Sequence, residues 1–185
     1  GATDSRGKNF TAGDHYKNVK TNAFVQNQEF YGKRFLVKDK LQTIDWKLST
    51  ETKKIGDYIC NKATASIPTE QLTWYSFSWS ELRKKAATTE EGETPEVEMT
   101  EVEAWFSPQI PVSQGPMEYW GLPGLILEVS AGDTTMLCYK ITMNPEEKIK
   151  IEVPEKGKEI AKMEYKEVIV GKMQEMRNNR GRRSR

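Results

Sequence analysis

Paired carboxylates are the residues in this sequence best suited to chemistry. Glu101 and Glu103 stand two positions apart in a stretch that alternates like a strand, so both side chains would lie on one strand face. Such a pair can supply a general acid and a general base, as in a hydrolase. However, residues 90–103 contain seven Glu and no Lys or Arg. A solvated acidic face explains the pair better, and catalysis would require a pocket with a raised carboxyl pKa.

Other residue types that support catalysis are scarce. The chain has one histidine, His15, which excludes metal sites built on histidine pairs. A Ser-His-Asp or Cys-His set would depend on that one residue. The phosphate-binding patterns Gly-x-x-x-x-Gly-Lys and Gly-x-Gly-x-x-Gly do not occur. We therefore expect no enzymatic activity, no cofactor and no metal.

The two cysteines, Cys60 and Cys138, both fall in predicted strands. If those strands adjoin in an oxidising compartment, a disulfide between the two residues is feasible. Otherwise they are buried free thiols, which pack as small apolar side chains. The sequence leaves both interpretations open.

Charge and hydropathy limit the partners of the chain. With 28 basic and 27 acidic residues among 185, the net charge of +1 gives no reason to expect nucleic acid. No apolar run reaches the length of a membrane-spanning helix, so we do not expect a transmembrane protein. Residues 179–185 are rich in Arg and predict a disordered basic tail.

The most informative stretch is rich in proline, glycine and aromatic residues. Prolines fix φ and remove donors between residues 108 and 116, so the chain there must cross the domain as an irregular, rigid connection. A hexapeptide follows that predicts a turn entering a buried strand: Gly121, Leu122, Pro123, Gly124, Leu125 and Ile126. The aromatic residues around it are candidates for binding a ligand or partner: Trp105, Phe106, Tyr119 and Trp120.

Periodicity predicts the elements that position these residues. Residues 1–30 are polar and predict a loosely ordered segment with a short strand at 24–30, and residues 31–178 predict a single β-rich domain. The domain's predicted strands are 34–37, 43–48, 54–67, 72–82, 97–106, 125–129, 135–142 and 149–153. Gly56 indicates a bulge or a close backbone approach within the third of these strands, and Ala131-Gly132-Asp133 predicts a turn. From about Ala161, apolar residues recur at helical spacing, namely Tyr165, Val168, Ile169, Met173 and Met176. The predicted fold class is α+β and mainly β: a curved antiparallel sheet packed by a C-terminal amphipathic helix. By fold analogy alone, it is similar to the half-barrels of periplasmic lipoprotein carriers.

Two ordered blocks carry a family resemblance. The first contains Phe35-Leu36-Val37-x-Asp39, Trp46-Lys47-Leu48 and Lys54-Ile55-Gly56-x-Tyr58-x-Cys60-x-Lys62-Ala63, and the second runs from Ala104 through the hexapeptide. Over about residues 30–180 the chain resembles the GLPGLI family, named for the hexapeptide. The biochemical function of that family is unknown, and the resemblance implies a β-rich protein of Gram-negative bacteria, exported with a removable signal peptide to the periplasm or outer membrane. It provides no catalytic residue.

Three functional hypotheses follow. The favoured one is a non-enzymatic binding protein of the cell envelope, which holds an apolar ligand or a protein partner on the sheet or on the aromatic segment. The second is a structural or assembly component that docks through the acidic residues 90–103 or the basic tail. The third is the carboxylate-dependent hydrolase.

Overall fold

The computed structural model of the protein describes residues 10–90 and 96–182. Its strands are β1 Phe10–Asn18, β2 Ala23–Phe30, β3 Lys33–Lys40, β4 Lys47–Ile55, β5 Tyr58–Pro68, β6 Met99–Ser107, β7 Leu125–Ala131, β8 Thr134–Leu137 and β9 Lys158–Ile160. Its helices are α1 Thr69–Leu72, α2 Trp79–Glu90 and α3 Lys162–Arg182. The described chain is therefore mainly β with a C-terminal helix, as predicted.

The strands form two open sheets. The first has the order β1-β2-β3-β9, in which β1 to β3 are antiparallel and β9 runs parallel to β3. The second has the order β4-β5-β6-β7-β8 and is antiparallel throughout. The sequence predicted one curved sheet, whereas the structure divides the strands between two. The division falls at residues 41–46, which connect β3 to β4 without strand pairing.

Tight turns with positive φ set the strand register. Tyr31 and Gly32, with φ of 48° and 74°, connect β2 to β3 and form the kind of two-residue turn that matches strand twist. The predicted turn at Gly132-Asp133 is confirmed between β7 and β8. Gly56, predicted as a bulge within one strand, instead has φ of 58° in the turn between β4 and β5.

The structure corrects the prediction of a loosely ordered segment at residues 1–30. Residues 10–18 and 23–30 form β1 and β2, so the short strand predicted at 24–30 is confirmed within β2. Phe24 and Phe30 are buried in the core of the first sheet. The sequence shows no clear alternation of polar and apolar residues in β2 because Gln26 and Gln28 are also buried, with Gln26 Nε2 donating to Gln28 Oε1 at 3.2 Å. Residues 1–9 lie outside the described part of the chain.

The C-terminal helix packs on the first sheet. Tyr165, Ile169 and Met173 join the core around Phe24 and Trp74, so the predicted amphipathic face is confirmed at these positions. Val168, predicted on the same face, is exposed. α3 extends to Arg182, which makes residues 179–182 helical instead of disordered, and residues 183–185 lie outside the description.

The predicted strand at residues 72–82 is two helices joined by a turn. The alternating aromatic residues Tyr75, Phe77 and Trp79 suggested a sheet face, but Phe77 and Trp79 pack against the first-sheet core and Tyr75 is exposed. α2 begins after Ser78, whose Oγ accepts a hydrogen bond from the Glu81 amide at 3.5 Å. Ser followed three residues later by Glu is a signal for the start of a helix. Here that signal outweighs the strand-like alternation of aromatic and polar residues.

Candidate functional site

The hexapeptide forms a tight junction at the start of β7. A Cβ on Gly124 would lie 2.3 Å from the carbonyl oxygen of Ser107, so only glycine allows the two backbones to approach this closely. Leu122 and Ile126 are buried in the core of the second sheet. The hexapeptide therefore fixes a backbone path and fills a core.

The residues before it, 108–120, are called the crossing segment here. This segment lies against the second sheet, where Tyr119 joins the core. Two indoles hold its end in place: Trp46 Nε1 donates to the Trp120 carbonyl at 2.8 Å, and Trp120 Nε1 donates to the Gln42 carbonyl at 2.7 Å. The rigid crossing predicted from the prolines is thus bonded to the residues that connect the two sheets.

The four aromatic residues nominated as a binding surface lie in three different places. Phe106 and Tyr119 pack together in the core of the second sheet. Trp105 lies on the opposite face of that sheet with Cys60, and Trp120 packs against the core of the first sheet. Because Trp105, Phe106 and Tyr119 are buried, these side chains stabilise the fold and do not form one shared ligand surface.

A charged cluster joins the two sheets, which the sequence analysis missed. We call His15, Lys17, Glu118 and Lys162 the interior ion cluster. Glu118 forms an ion pair with Lys162, and the two side chains are only 19% and 13% exposed. Trp74 Nε1 donates to the other carboxylate oxygen of Glu118 at 3.2 Å. The pair connects the crossing segment to the first turn of α3.

Lys17 reaches the crossing segment from β1. Its ammonium donates to three carbonyl oxygens, those of Gly115 at 2.5 Å, Met117 at 2.8 Å and Tyr119 at 3.0 Å. Burial lowers the pKa of Lys17 to about 8, and the Glu118 charge partly opposes that shift. Lys17 therefore donates hydrogen bonds to three carbonyls of an irregular backbone, which is not part of either sheet.

The remaining member of the cluster is the only histidine. The ring of His15 lies 5.0 Å from that of Phe24, and burial lowers its pKa below the usual value. Its Nε2 is buried without a hydrogen-bond partner among the described residues. The cations of the cluster bind backbone or Glu118, so this arrangement positions the crossing segment. No local pattern in the sequence marks Lys17 or Lys162 for it.

Replacing Lys17 with methionine is expected to change how stability depends on pH. Between about 8, the pKa of Lys17 in the fold, and its ordinary value of 10.5, the unfolded chain binds more protons than the folded chain. The free energy of unfolding of the parent protein should therefore rise relative to Lys17→Met as pH increases through this interval. Urea unfolding of both proteins at about pH 7.5 and about pH 10 measures the difference. Lys20→Met, on the exposed turn after β1, is the control, and a constant difference for Lys17→Met would contradict the assignment.

The carboxylates that suggested a hydrolase are already hydrogen-bonded on the outer face of the second sheet. Glu101 accepts from Ser66 Oγ at 2.5 Å, while Glu103 accepts from Trp105 Nε1 at 2.8 Å and pairs with Lys62 at 3.1 Å. The pKa of Glu103 is lowered mainly by the hydrogen bond from Trp105 and, to a smaller extent, by the Lys62 ammonium. A general acid needs a raised pKa instead. Both carboxylates line a shallow depression of 280 Å³ together with Thr64, Val102, Ser130 and Gly132.

The cysteines are free thiols in the structure. Cys60 is buried in β5 and Cys138 follows β8, and β6 and β7 lie between these strands. The strand adjacency on which the predicted disulfide depended is therefore absent. Both cysteines nevertheless belong to one apolar cluster, in which Cys138 packs against the group formed by Cys60, Trp105 and Leu127. The interpretation as a buried free thiol describes Cys60, whereas Cys138 is only partly buried. Burial raises the pKa of the Cys60 thiol, which keeps it protonated.

The three most exposed large apolar side chains of the described chain lie beyond β8, within residues 137–153, which begin at the last residue of that strand and which we call the exposed segment. Tyr139 is 95% exposed, Ile149 74% and Ile151 76%. The sequence predicted strands at 135–142 and 149–153, but only residues 134–137 form one here. The exposed segment also includes Leu137, Met143 and Val153 as exposed apolar side chains.

Fold and site together define a mainly β, two-sheet protein in which a hydrogen-bonded crossing segment joins the sheets. Residues 46–128 match the model of a family described as "Protein of unknown function (Porph_ging)". The match covers less than half of the chain and includes the hexapeptide and the crossing segment. Neither a comparison with curated proteins nor one with solved structures gave a match. No helix in the described ranges is long and apolar enough to cross a membrane.

Proposed function

We propose that this protein is a non-enzymatic binding protein of the cell envelope, and that it binds a protein partner through the exposed segment. The carrying observation is the exposure of Tyr139, Ile149 and Ile151 in one stretch of chain. Apolar area gains roughly 25 cal/mol per Å² when it leaves water, so several exposed apolar side chains along one stretch of chain favour burial against a partner.

A protein partner fits the geometry better than a small apolar ligand. The aromatic residues that would have held a ligand, such as Phe106 and Tyr119, are packed against each other and against strand residues. A flexible or extended surface with alternating apolar side chains suits recognition by another polypeptide, because backbone pairing and side-chain pockets act together.

The cell-envelope location rests on the resemblance to the GLPGLI family, whose members are exported. The hydrolase is the weaker candidate, because the hydrogen bonds to Glu103 favour its ionised form over the protonated form that an acid catalyst needs. Residues 91–95 of the acidic stretch, part of the assembly hypothesis, lie outside the described chain.

Site-specific photo-crosslinking tests this proposal. A photoreactive phenylalanine analogue at position 139 or 149 of the full chain, produced in its native cells, is expected to give one common adduct in the envelope fraction. The same analogue at Lys47, exposed on the far edge strand of the second sheet, is the matched control and should not give that adduct. The adduct at position 139 should also disappear when Ile149→Ser and Ile151→Ser are combined.

Two outcomes would refute the proposal. One is the absence of adducts from both positions of the exposed segment. The other is equal labelling from position 47, which would show that the adducts arise from random encounters and not from a surface.

A further inference from the structure

We propose that residues 148–153 of the exposed segment pair as an antiparallel strand with the same residues of a second copy of the chain. This inference rests on the proposed function and deepens it, since it names the partner of part of the same surface. The evidence is the residue pattern, the exposure of these residues and the complementarity of their charges.

The stretch has the composition of a strand. Ile149, Ile151 and Val153 alternate with Lys148, Lys150 and Glu152, so one face would be apolar and the other charged. All six residues are exposed, and no described strand pairs with them. A strand of this kind is not stable alone, because its backbone groups and apolar face need a neighbour.

The charges select one register of self-pairing. When two copies run antiparallel and centre on Ile151, Lys150 of each copy faces Glu152 of the other, and Ile149 faces Val153. Centring on Ile149 places Lys148 opposite Lys150. Centring on Lys150 pairs Lys148 with Glu152 twice but also places Lys150 opposite its own copy, and centring on Glu152 places Glu152 opposite its own copy. Within residues 148–153, only the register centred on Ile151 combines two opposite-charge pairs with no like-charge pair.

Exchange of charge partners is feasible in the structure. Lys150 and Glu152 form an ion pair at 2.8 Å within one chain, and their side chains are 84% and 71% exposed. Exposed pairs of this kind contribute little to stability, so replacing the intrachain pair of each copy with two interchain pairs costs little. A second copy therefore supplies what this stretch lacks: a strand for backbone hydrogen bonds, apolar side chains opposite its own apolar residues, and charges that match its own.

Charge-swap variants of the full chain test the pairing by sedimentation equilibrium over about 1 to 100 µM. The parent protein should dimerise in this range. Lys150→Glu and Glu152→Lys alone place like charges opposite each other twice, so each should weaken dimerisation at least about tenfold. The double variant Lys150→Glu with Glu152→Lys restores both pairs and should dimerise like the parent.

Mixing the two single variants gives the sharpest comparison. Chains with Glu at both positions and chains with Lys at both positions complement each other in the same register, so the mixture should form heterodimers while neither variant dimerises well alone. Because these positions are exposed, urea unfolding should be the same for all variants at protein concentrations too low for dimerisation, where association does not add to stability.

A parent protein that is monomeric across the range would overturn the self-pairing, as would a double variant as weak as the single variants. Neither result would touch the proposed function if crosslinking at position 139 gave an adduct with a different protein. Loss of both self-association and crosslinks would end both proposals.

Discussion

Replacing Gly124 with alanine is expected to destabilise the fold by about 3 kcal/mol or more. The added Cβ would lie 2.3 Å from the Ser107 carbonyl oxygen and 2.6 Å from its carbon. These are backbone atoms at the end of β6, so relief requires moving the strand or the hexapeptide. Because Leu122 and Ile126 on either side are buried, such a movement would also open the core of the second sheet.

Urea unfolding followed by tryptophan fluorescence measures this loss, with circular dichroism to verify the fold. Gly171→Ala is the matched control, because nothing lies within 4 Å of a Cβ at that helical position. It should stabilise the protein by up to about 1 kcal/mol, since alanine favours helix over glycine. A Gly124→Ala protein as stable as the parent would show that the junction is looser than the structure indicates. Failure of only this variant to fold would agree with the expectation.

Replacing Glu118 with leucine is expected to cost about 3 kcal/mol, the lower end of the range for breaking a buried ion pair. The substitution leaves the Lys162 ammonium without its carboxylate and the Trp74 indole without its acceptor. It also removes the negative charge nearest Lys17, whose ammonium remains against the crossing segment.

The double variant Glu118→Leu with Lys162→Met distinguishes a broken pair from a lost side chain. The Lys162 ammonium lies 4.3 Å from the centroid of the Phe24 ring. Methionine removes the uncompensated charge and keeps an unbranched side chain near this ring. The double variant should therefore be more stable than Glu118→Leu by at least about 1 kcal/mol. Strictly additive effects would mean that Glu118 and Lys162 do not interact in solution.

The sequence predicted the parts of the fold in which local signals agree. β7 follows the apolar run after the hexapeptide, the Gly132-Asp133 turn joins β7 to β8, and α3 shows helical spacing at Tyr165, Ile169 and Met173. It predicted the strand at 24–30 but not the ordered sheet around it, because Gln26 and Gln28 are interior positions with surface-type side chains. It also failed at residues 72–82, where aromatic residues of a turn and a helix happened to alternate.

The interior ion cluster could not be predicted, for a different reason. Lys17 binds carbonyls 98 to 102 residues further along the chain. Backbone carbonyls have no residue signature, and a lysine in a polar strand resembles any solvated lysine. The exposed segment shows the converse problem: its strand pattern is clear, but pattern alone does not reveal that the partner strand is missing from the described chain.

The contact between Lys17 and the crossing segment also constrains the order in which parts of the protein can fold during synthesis. β1 and β2 can pair as soon as they are made, but Lys17 has to wait until residue 119 has been synthesised before it has all three of its acceptors. Sequence separations this large slow folding, because the loop must close before the contact contributes. The first strand of the described chain therefore lacks part of its contacts until the middle third of the chain has been synthesised, and the first sheet waits longer still, for β9 and α3.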